Sequence, residues 1–192
     1  MQITIHGDNG SGKSTLAKAL AQKINYKHFS TGDYARALAE KQGFESIKEY
    51  MADMRTKNLT FDIDNLIDSK LQEELRLYEN IVVDSRLGYF FAKQSIKIYC
   101  MIDPSIAAKW IWEGDKRKAE QRISVEEIRT SLIERKENDR LTYLAKYGTD
   151  YTDMTHFDDV ILSFQFQNQQ ERMVEEALRI IEKINTKRNV MQ

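Results

Sequence analysis

Cysteine and proline are almost missing from this chain: among 192 residues there is one of each, Cys100 and Pro104. A single cysteine excludes an internal disulfide framework and suits a reducing compartment. It stands in the apolar run Ile98-Tyr99-Cys100-Met101-Ile102, where packing explains it better than catalysis. Long hydrophobic runs are missing as well. None approaches the roughly 18–20 apolar residues that span a bilayer, so no membrane association is expected. Strand-like residues begin at once at the N-terminus, which leaves no room for a leader peptide. An excess of one charge is also absent: 29 Lys and Arg stand against 30 Asp and Glu, for a net charge of −1. That argues against binding a nucleic-acid polymer, which favours a strongly basic surface, and leaves open only a local basic patch. The three histidines, His6, His28 and His156, are too scattered to suggest a metal cluster. What remains is a globular balance, 41% hydrophobic and 31% charged, at a length typical of one domain. A single domain over residues 1–192 is expected, cytoplasmic, and a monomer or weak dimer.

Against that background one stretch stands out, Gly7-Asp8-Asn9-Gly10-Ser11-Gly12-Lys13-Ser14-Thr15. It fits the pattern G-x-x-x-x-G-K-[ST], and its flanks fit too. Met1 to His6 has the alternation of a short strand, with Ile3 and Ile5 on one side. Thr15 to Ile24 repeats its apolar residues at helical spacing. Strand, glycine loop and helix form the context that confirms a phosphate-binding loop. Glycines let backbone N–H groups converge on a polyphosphate, and the helix N-terminus adds unpaired N–H groups and partial positive charge. Lys13 can reach the terminal phosphates of ATP, and the Ser14 hydroxyl can ligate Mg²⁺.

Downstream, Tyr26 to Ser30 is expected as a second strand, and Ser30 or Thr31 can cap the helix that follows, with Asp33 near its positive end. Asp33 and Arg36 are three apart and share a helix face. They make either a local ion pair or an arginine presented to an acceptor phosphate, where a planar bidentate fork is useful. Helices are expected over Ser46–Lys57 and Phe61–Tyr78. Asp62, Asp64 and Asp68 either favour the dipole at the start of the second of these or contact a substrate base or sugar. Ile81-Val82-Val83-Asp84 has the character of a buried strand ending in a carboxylate, a place from which Asp84 can support a Mg²⁺ site. Arg86 emerges at the same strand end, where ligands of open α/β sheets sit.

A fourth strand is expected over Ser95–Ile102, then a helix from Asp103-Pro104 with Trp110 and Trp112 packed near its end. Glu113–Arg122 is charged, lacks apolar periodicity and is expected to be exposed and mobile. Ser124 and Glu127 form a capping-box pattern for a helix to about Lys146. That helix carries Arg129, Arg135, Lys136 and Arg140, either as a solvated face or as cations closing over a reacting phosphate. Arg135 and Arg140 are five apart, about 140° around a helix, so they need not serve one ligand. Gly148 is the expected cap. A fifth strand over Phe157–Ser163, a helix over Asn168–Ile184 and a frayed polar tail from Asn185 to Gln192 complete the chain. Strand and helix alternate throughout, which argues for a P-loop α/β fold: a five-stranded parallel sheet with helices on both faces.

The segments Gly7–Thr15, Ser30–Arg36, Phe61–Asp64, Val83–Gly88, Ile123–Glu127, Glu134–Gly148 and Phe157–Ile161 together resemble the nucleoside monophosphate kinases. More narrowly, over residues 1–184, the chain is similar to short archaeal-type cytidylate kinases. The resemblance implies ATP bound by Gly7 to Thr15, an acceptor-binding helical segment over about residues 32–80 and a lid over about 113–150. It implies an acceptor nucleoside monophosphate held by Arg36 and Arg86 in a site shaped by Ser30, Gly32, Asp33 and Asp62. It also implies Mg²⁺ at Ser14 and Asp84, and Lys13, Arg135 and Arg140 as catalytic cations. The reaction implied is ATP with CMP or dCMP, giving ADP and CDP or dCDP. In one region the chain departs from the family: where its helix usually ends in arginine and isoleucine, Trp110-Ile111 stands, and Lys116, Arg117 or Arg122 is the expected substitute cation. The rival readings are a P-loop kinase for another nucleotide or a small acceptor such as a sugar acid, and a nucleotide-sensing protein without phosphoryl transfer. A GTPase is disfavoured by the lack of Asn-Lys-x-Asp and an ABC ATPase by the lack of Leu-Ser-Gly-Gly-Gln, and the chain is short for an AAA module.

Overall fold

The computed structural model describes residues 1–57, 60–114 and 123–190, with the side chains of residues 48, 55 and 60–62 outside the description. Lys116, Arg117, Lys118 and Arg122, the mobility expected of the charged segment, and the side chain of Asp62 lie outside the described residues. Five strands, β1 (Gln2–Gly7), β2 (Lys27–Ser30), β3 (Ile81–Asp84), β4 (Ile96–Met101) and β5 (Asp159–Leu162), form one sheet in the order β2-β3-β1-β4-β5. Every neighbouring pair is parallel. The register sets Ile5 and Ser30 on either side of Asp84, so the carboxyl ends of β1, β2 and β3 open at one level. The central strands are buried along nearly their whole length, as expected of a parallel sheet covered on both faces.

One face is sealed by α1 (Lys13–Lys23) and the C-terminal helix. Leu16, Leu20, Ile180 and Ile181 pack there on Ile3, Ile5, Val82, Ile98 and Ile161. On the other face α2 (Thr31–Lys41) and α4 (Thr60–Leu77) set Tyr34, Leu71 and Leu75 against Phe29, Ile81 and Val83. Period-two alternation sends Thr4 and His6 of β1 to that second face. There Thr4 Oγ1 bonds Ser95 Oγ at 3.1 Å and His6 Nε2 at 2.8 Å. The helical segment has a smaller core of its own: Ala39, Tyr50 and Ile63 join α2, α3 (Ile47–Thr56) and α4.

A one-turn helix, α5 (Gly88–Phe91), follows β3, and α6 (Pro104–Gly114) follows β4. The long helix α7 (Val125–Tyr147) opens on the capping box of Ser124 and Glu127 and ends at Gly148 with φ 66°. Its underside rests on aromatic rings, Tyr143 and Tyr147 packing on Leu87, Tyr89 and Tyr151. Two sequence expectations need correction. The core or interface packing expected of the two tryptophans does not take the core form: Trp112 is 41% exposed and Trp110, half-buried, lines a cavity. The last helix, α8, runs over Gln170–Val190. It starts late because Asn168 sits at φ 56°, a left-handed conformation that cannot continue a helix. It outlasts the expected fraying because Ile184 is buried and Arg188 donates to the carbonyls of Gln94 and Ser95 at 3.0 and 3.1 Å. Among the described residues no helix is long and apolar enough to cross a membrane.

Candidate active site

The loop between β1 and α1 is pressed against β4. A Cβ on Gly7 would lie 2.2 Å from the carbonyl oxygen of Cys100, and φ there is +141°, so only glycine fits. The amide of Asp8 donates to that same carbonyl at 3.1 Å. Gly12, at φ +77° with no atom within 4 Å of where a Cβ would stand, turns the chain into α1 and leaves the helix N-terminus open to an anion. Ser14 and Thr15 stand accessible in that first turn. Ser11 Oγ is buried beside them without a hydrogen-bond partner, a polar atom placed where a ligand would satisfy it. The Lys13 ammonium is pushed below its ordinary range by burial, while the charge of Asp84 pulls the other way.

Asp84 closes β3 at 4% exposure. Its carboxylate accepts from Ser30 Oγ at 3.2 Å, and Ser30 Oγ in turn accepts from the amide of Asp33 at 3.2 Å as the cap of α2. The strand-end carboxylate and the helix cap therefore form one unit, which places the start of α2 beside the phosphate loop. No group of three or more His, Cys, Asp or Glu that could hold a metal occurs among the described residues. The pair Ser14 and Asp84 suits a hard cation of another kind, since Mg²⁺ takes few protein oxygens and completes its shell with water and substrate phosphates.

Two arginines flank this centre. Arg36 pairs with Asp33 on the exposed start of α2, its guanidinium folded back to 3.5 Å from where a Gly32 Cβ would stand. The local ion pair thus forms, at the start of the helix that follows β2. Arg86 is mostly buried; among the described residues it donates to Asn9 Oδ1 at 2.8 Å and pairs with Asp139 Oδ2 at 3.1 Å, and the Tyr143 phenol lies close by. Burial opposes its charge, but the phenols of Tyr143 and Tyr151 and the carboxylate of Asp139 raise its pKa above the ordinary guanidinium value.

The long helix α7 brings further cations in from above. Arg135 Nε lies 3.9 Å from Asp139, the carboxylate that also meets Arg86. Arg140 faces elsewhere, bonded to Glu137 at 2.7 Å and to Asp150 at 3.2 Å. The two arginines thus engage different carboxylates, as their angular offset on the helix allows. Lys136, between them, meets Asp8 of the phosphate loop. At the C-terminal end, Lys146 lies 3.4 Å from Asp68 and 4.0 Å from Asp64, and the Tyr147 hydroxyl donates to Asp68. Asp64 and Asp68 lie beyond the first turn of α4, where a helix dipole has little effect; they connect α4 to α7. Sequence reasoning missed Asp139 and Tyr143 as partners of Arg86. The signal was the spacing of 135, 139 and 143, each four residues apart and so on one helix face.

Beside the loop opens a cavity of about 410 Å³, whose lining includes Ser11, Gly12, Leu16, Trp110, Phe166 and Met173. Aromatic walls and a polar end at the helix N-terminus suit a flat base joined to a polyphosphate.

Three comparisons bear on this geometry. A family profile described as an AAA domain matches residues 7–98, from the phosphate loop into β4. The chain is 33% identical over 185 residues to the cytidylate kinase of Archaeoglobus fulgidus, covering 95% of each protein. It is 31% identical over 177 residues to the cytidylate kinase of Sulfurisphaera tokodaii, covering 92% of this chain and 94% of that one. Among solved structures, shikimate kinase from Bacteroides thetaiotaomicron superposes with a TM-score of 0.64 at 18% identity, over 95% of this chain and 98% of that one. The last match establishes the P-loop kinase fold and nothing finer.

Proposed function

The chain belongs to the cytidylate kinase family of nucleoside monophosphate kinases, and from that premise we propose that it transfers the terminal phosphoryl group of ATP to CMP or dCMP, giving ADP and CDP or dCDP. The observation that carries this reading is the meeting of two kinds of phosphate site at one sheet edge. The loop of Gly7 to Thr15 offers backbone donors to one polyphosphate, and Arg86, 2.8 Å from that loop through Asn9, offers a guanidinium to a second phosphate.

The acceptor phosphate oxygen is itself nucleophilic. It attacks the terminal phosphorus as the bond to the ADP oxygen breaks, and no general base is required. The protein therefore has to align two phosphates and neutralise charge on the transferring group. Lys13 supplies positive charge at the donor side, and its desolvation favours giving that charge to phosphate rather than to water. Arg86 and Arg36 seat the acceptor phosphate, with Ser30, Gly32 and Asp33 forming the floor at the start of α2. Arg135 reaches the reacting group from α7. Arg140, tied to Glu137 and Asp150, acts by fixing the far end of the lid. Ser14 and Asp84 would hold Mg²⁺, which would supply neutralisation of the phosphate oxygens. Closure of α7 excludes water and so limits ATP hydrolysis.

On this reading the whole chain works as one kinase domain, with about residues 32–80 receiving the acceptor and about 113–150 acting as the lid. It is a cytoplasmic monomer or weak dimer acting on small nucleotides. A panel of CMP, dCMP, UMP, AMP, GMP and dTMP with Mg·ATP tests the specificity. Turnover confined to a nucleotide other than CMP and dCMP contradicts the cytidine assignment and retains the mechanism.

A further inference from the structure

Asn9 belongs to the phosphate loop, yet its side chain turns to the acceptor cation: the Oδ1 atom accepts from Arg86 Nη2 at 2.8 Å, across 77 positions of sequence. The other two partners of that guanidinium, Asp139 and Tyr143, both ride on α7. Asn9 instead belongs to the loop between β1 and α1, not to that helix. Its loop is held to β4 at several points. The Asp8 amide donates to the Cys100 carbonyl at 3.1 Å. The Asp8 carboxylate accepts from the Tyr99 hydroxyl at 2.9 Å and from the Ile102 amide at 3.2 Å. Gly7 lets the loop lie directly against the Cys100 carbonyl, where a Cβ would clash at 2.2 Å.

The residue type also matters. A carboxamide oxygen accepts from a guanidinium without adding negative charge beside incoming phosphates, whereas a carboxylate at the same place would repel them. We propose that Asn9 is a positioning residue: its side-chain carbonyl fixes the Arg86 guanidinium relative to the phosphate loop, so that one hydrogen bond sets the acceptor phosphate in register with the donor phosphates when α7 opens and closes. This rests on the kinase reading above. In-line transfer is sensitive to misplacement of about 1 Å, which can cost around a hundredfold in rate, so a single tether has a measurable effect.

The test is a double-mutant cycle with Asn9→Ala and Arg86→Lys, measured with Mg·ATP and the best acceptor, with thermal unfolding alongside. Asn9→Ala is expected to lower kcat/KM for the acceptor about tenfold while the KM for ATP stays within twofold. In the Arg86→Lys background the same change is expected to cost less than twofold, because the partner is already lost. Asn9→Asp keeps the oxygen and adds a charge; it is expected to keep more of kcat than Asn9→Ala while raising the KM for both the acceptor and ATP. Equal losses in both backgrounds, or no loss from Asn9→Ala in the parent enzyme, overturn the proposal. If Asn9→Ala does not fold, Asn9→Ser, whose shorter side chain cannot reach the guanidinium, takes its place in the same cycle. A parent enzyme that retains full transfer after Lys13→Ala would instead defeat the kinase reading itself, so the two failures are separable.

Discussion

Asp8 of the phosphate loop and Lys136 of the long helix α7 meet at 2.6 Å although 128 positions separate them. Asp8 is also held by Tyr99 and by the amide of Ile102, so the lysine docks onto a carboxylate already fixed to the sheet. This contact ties α7 to the loop that would hold ATP. Lys136 is 41% exposed, and a partly exposed pair of this kind contributes at most about 1 kcal/mol. Lys136→Ala is therefore expected to raise the KM for ATP about threefold at low salt, with the difference shrinking in about 0.5 M salt as screening weakens the pair. A KM equal to the parent's at low salt counts against the docking role.

Lys13→Ala and Arg36→Ala are each expected to cut turnover well over tenfold. They should differ in where else the loss appears: Lys13→Ala weakens ATP binding, whereas Arg36→Ala raises the KM for the acceptor and leaves that for ATP unchanged. Arg36→Ala should leave thermal stability nearly unchanged, since the Arg36–Asp33 pair is exposed on both sides and surface pairs contribute little. Steady-state kinetics with each substrate varied in turn check the split.

The loop glycines should differ sharply. Gly12→Ala adds a Cβ into open space at φ +77°, so its cost is the left-handed strain alone, about 1–2 kcal/mol. Gly7→Ala places a Cβ 2.2 Å from a backbone carbonyl and must displace the loop from β4. Denaturant titration should show a clearly larger loss for Gly7→Ala, and equal losses would contradict the packing of this loop on β4.

His6 gives a pH signature. Burial is the chief cause that lowers its pKa, to about 3 from an ordinary 6.5. The folded protein keeps this ring neutral, while the unfolded chain binds a proton below about pH 6.5. Stability is therefore unaffected by His6 at neutral pH and falls as the pH drops from about 6.5 towards 3, by up to about 1.4 kcal/mol per pH unit. His6→Gln removes this contribution. Urea unfolding between pH 7 and pH 5 should show a shallower loss in the variant, and identical slopes would refute the assignment.

Much of the fold was legible from pattern. The glycine loop between a strand and a helix, the Ser124–Glu127 capping box and the apolar run before Asp84 are local signals, and each gave an element close to its place. The shortfalls came where local pattern is silent. Asn168 adopts a left-handed conformation that its sequence neighbours do not announce, so α8 begins late. Arg188 holds the C-terminal turn through carbonyls nearly a hundred positions away, which no window of sequence contains. In the site, Lys13, Asp84 and Arg86 were readable because they sit on the motif or on a strand end. Asp139 and Tyr143 meet Arg86 only because α7 packs on the segment that follows β3. Their regular spacing with Arg135 marked a helix face without saying what that face would touch.

The central claim is tested most directly by ADP release with Mg·ATP and CMP or dCMP as acceptor. A turnover of order 1–100 per second, typical of kinases, that is abolished by Lys13→Ala is the predicted result. Tight ATP binding with no acceptor-dependent ADP release from any nucleoside monophosphate would contradict it.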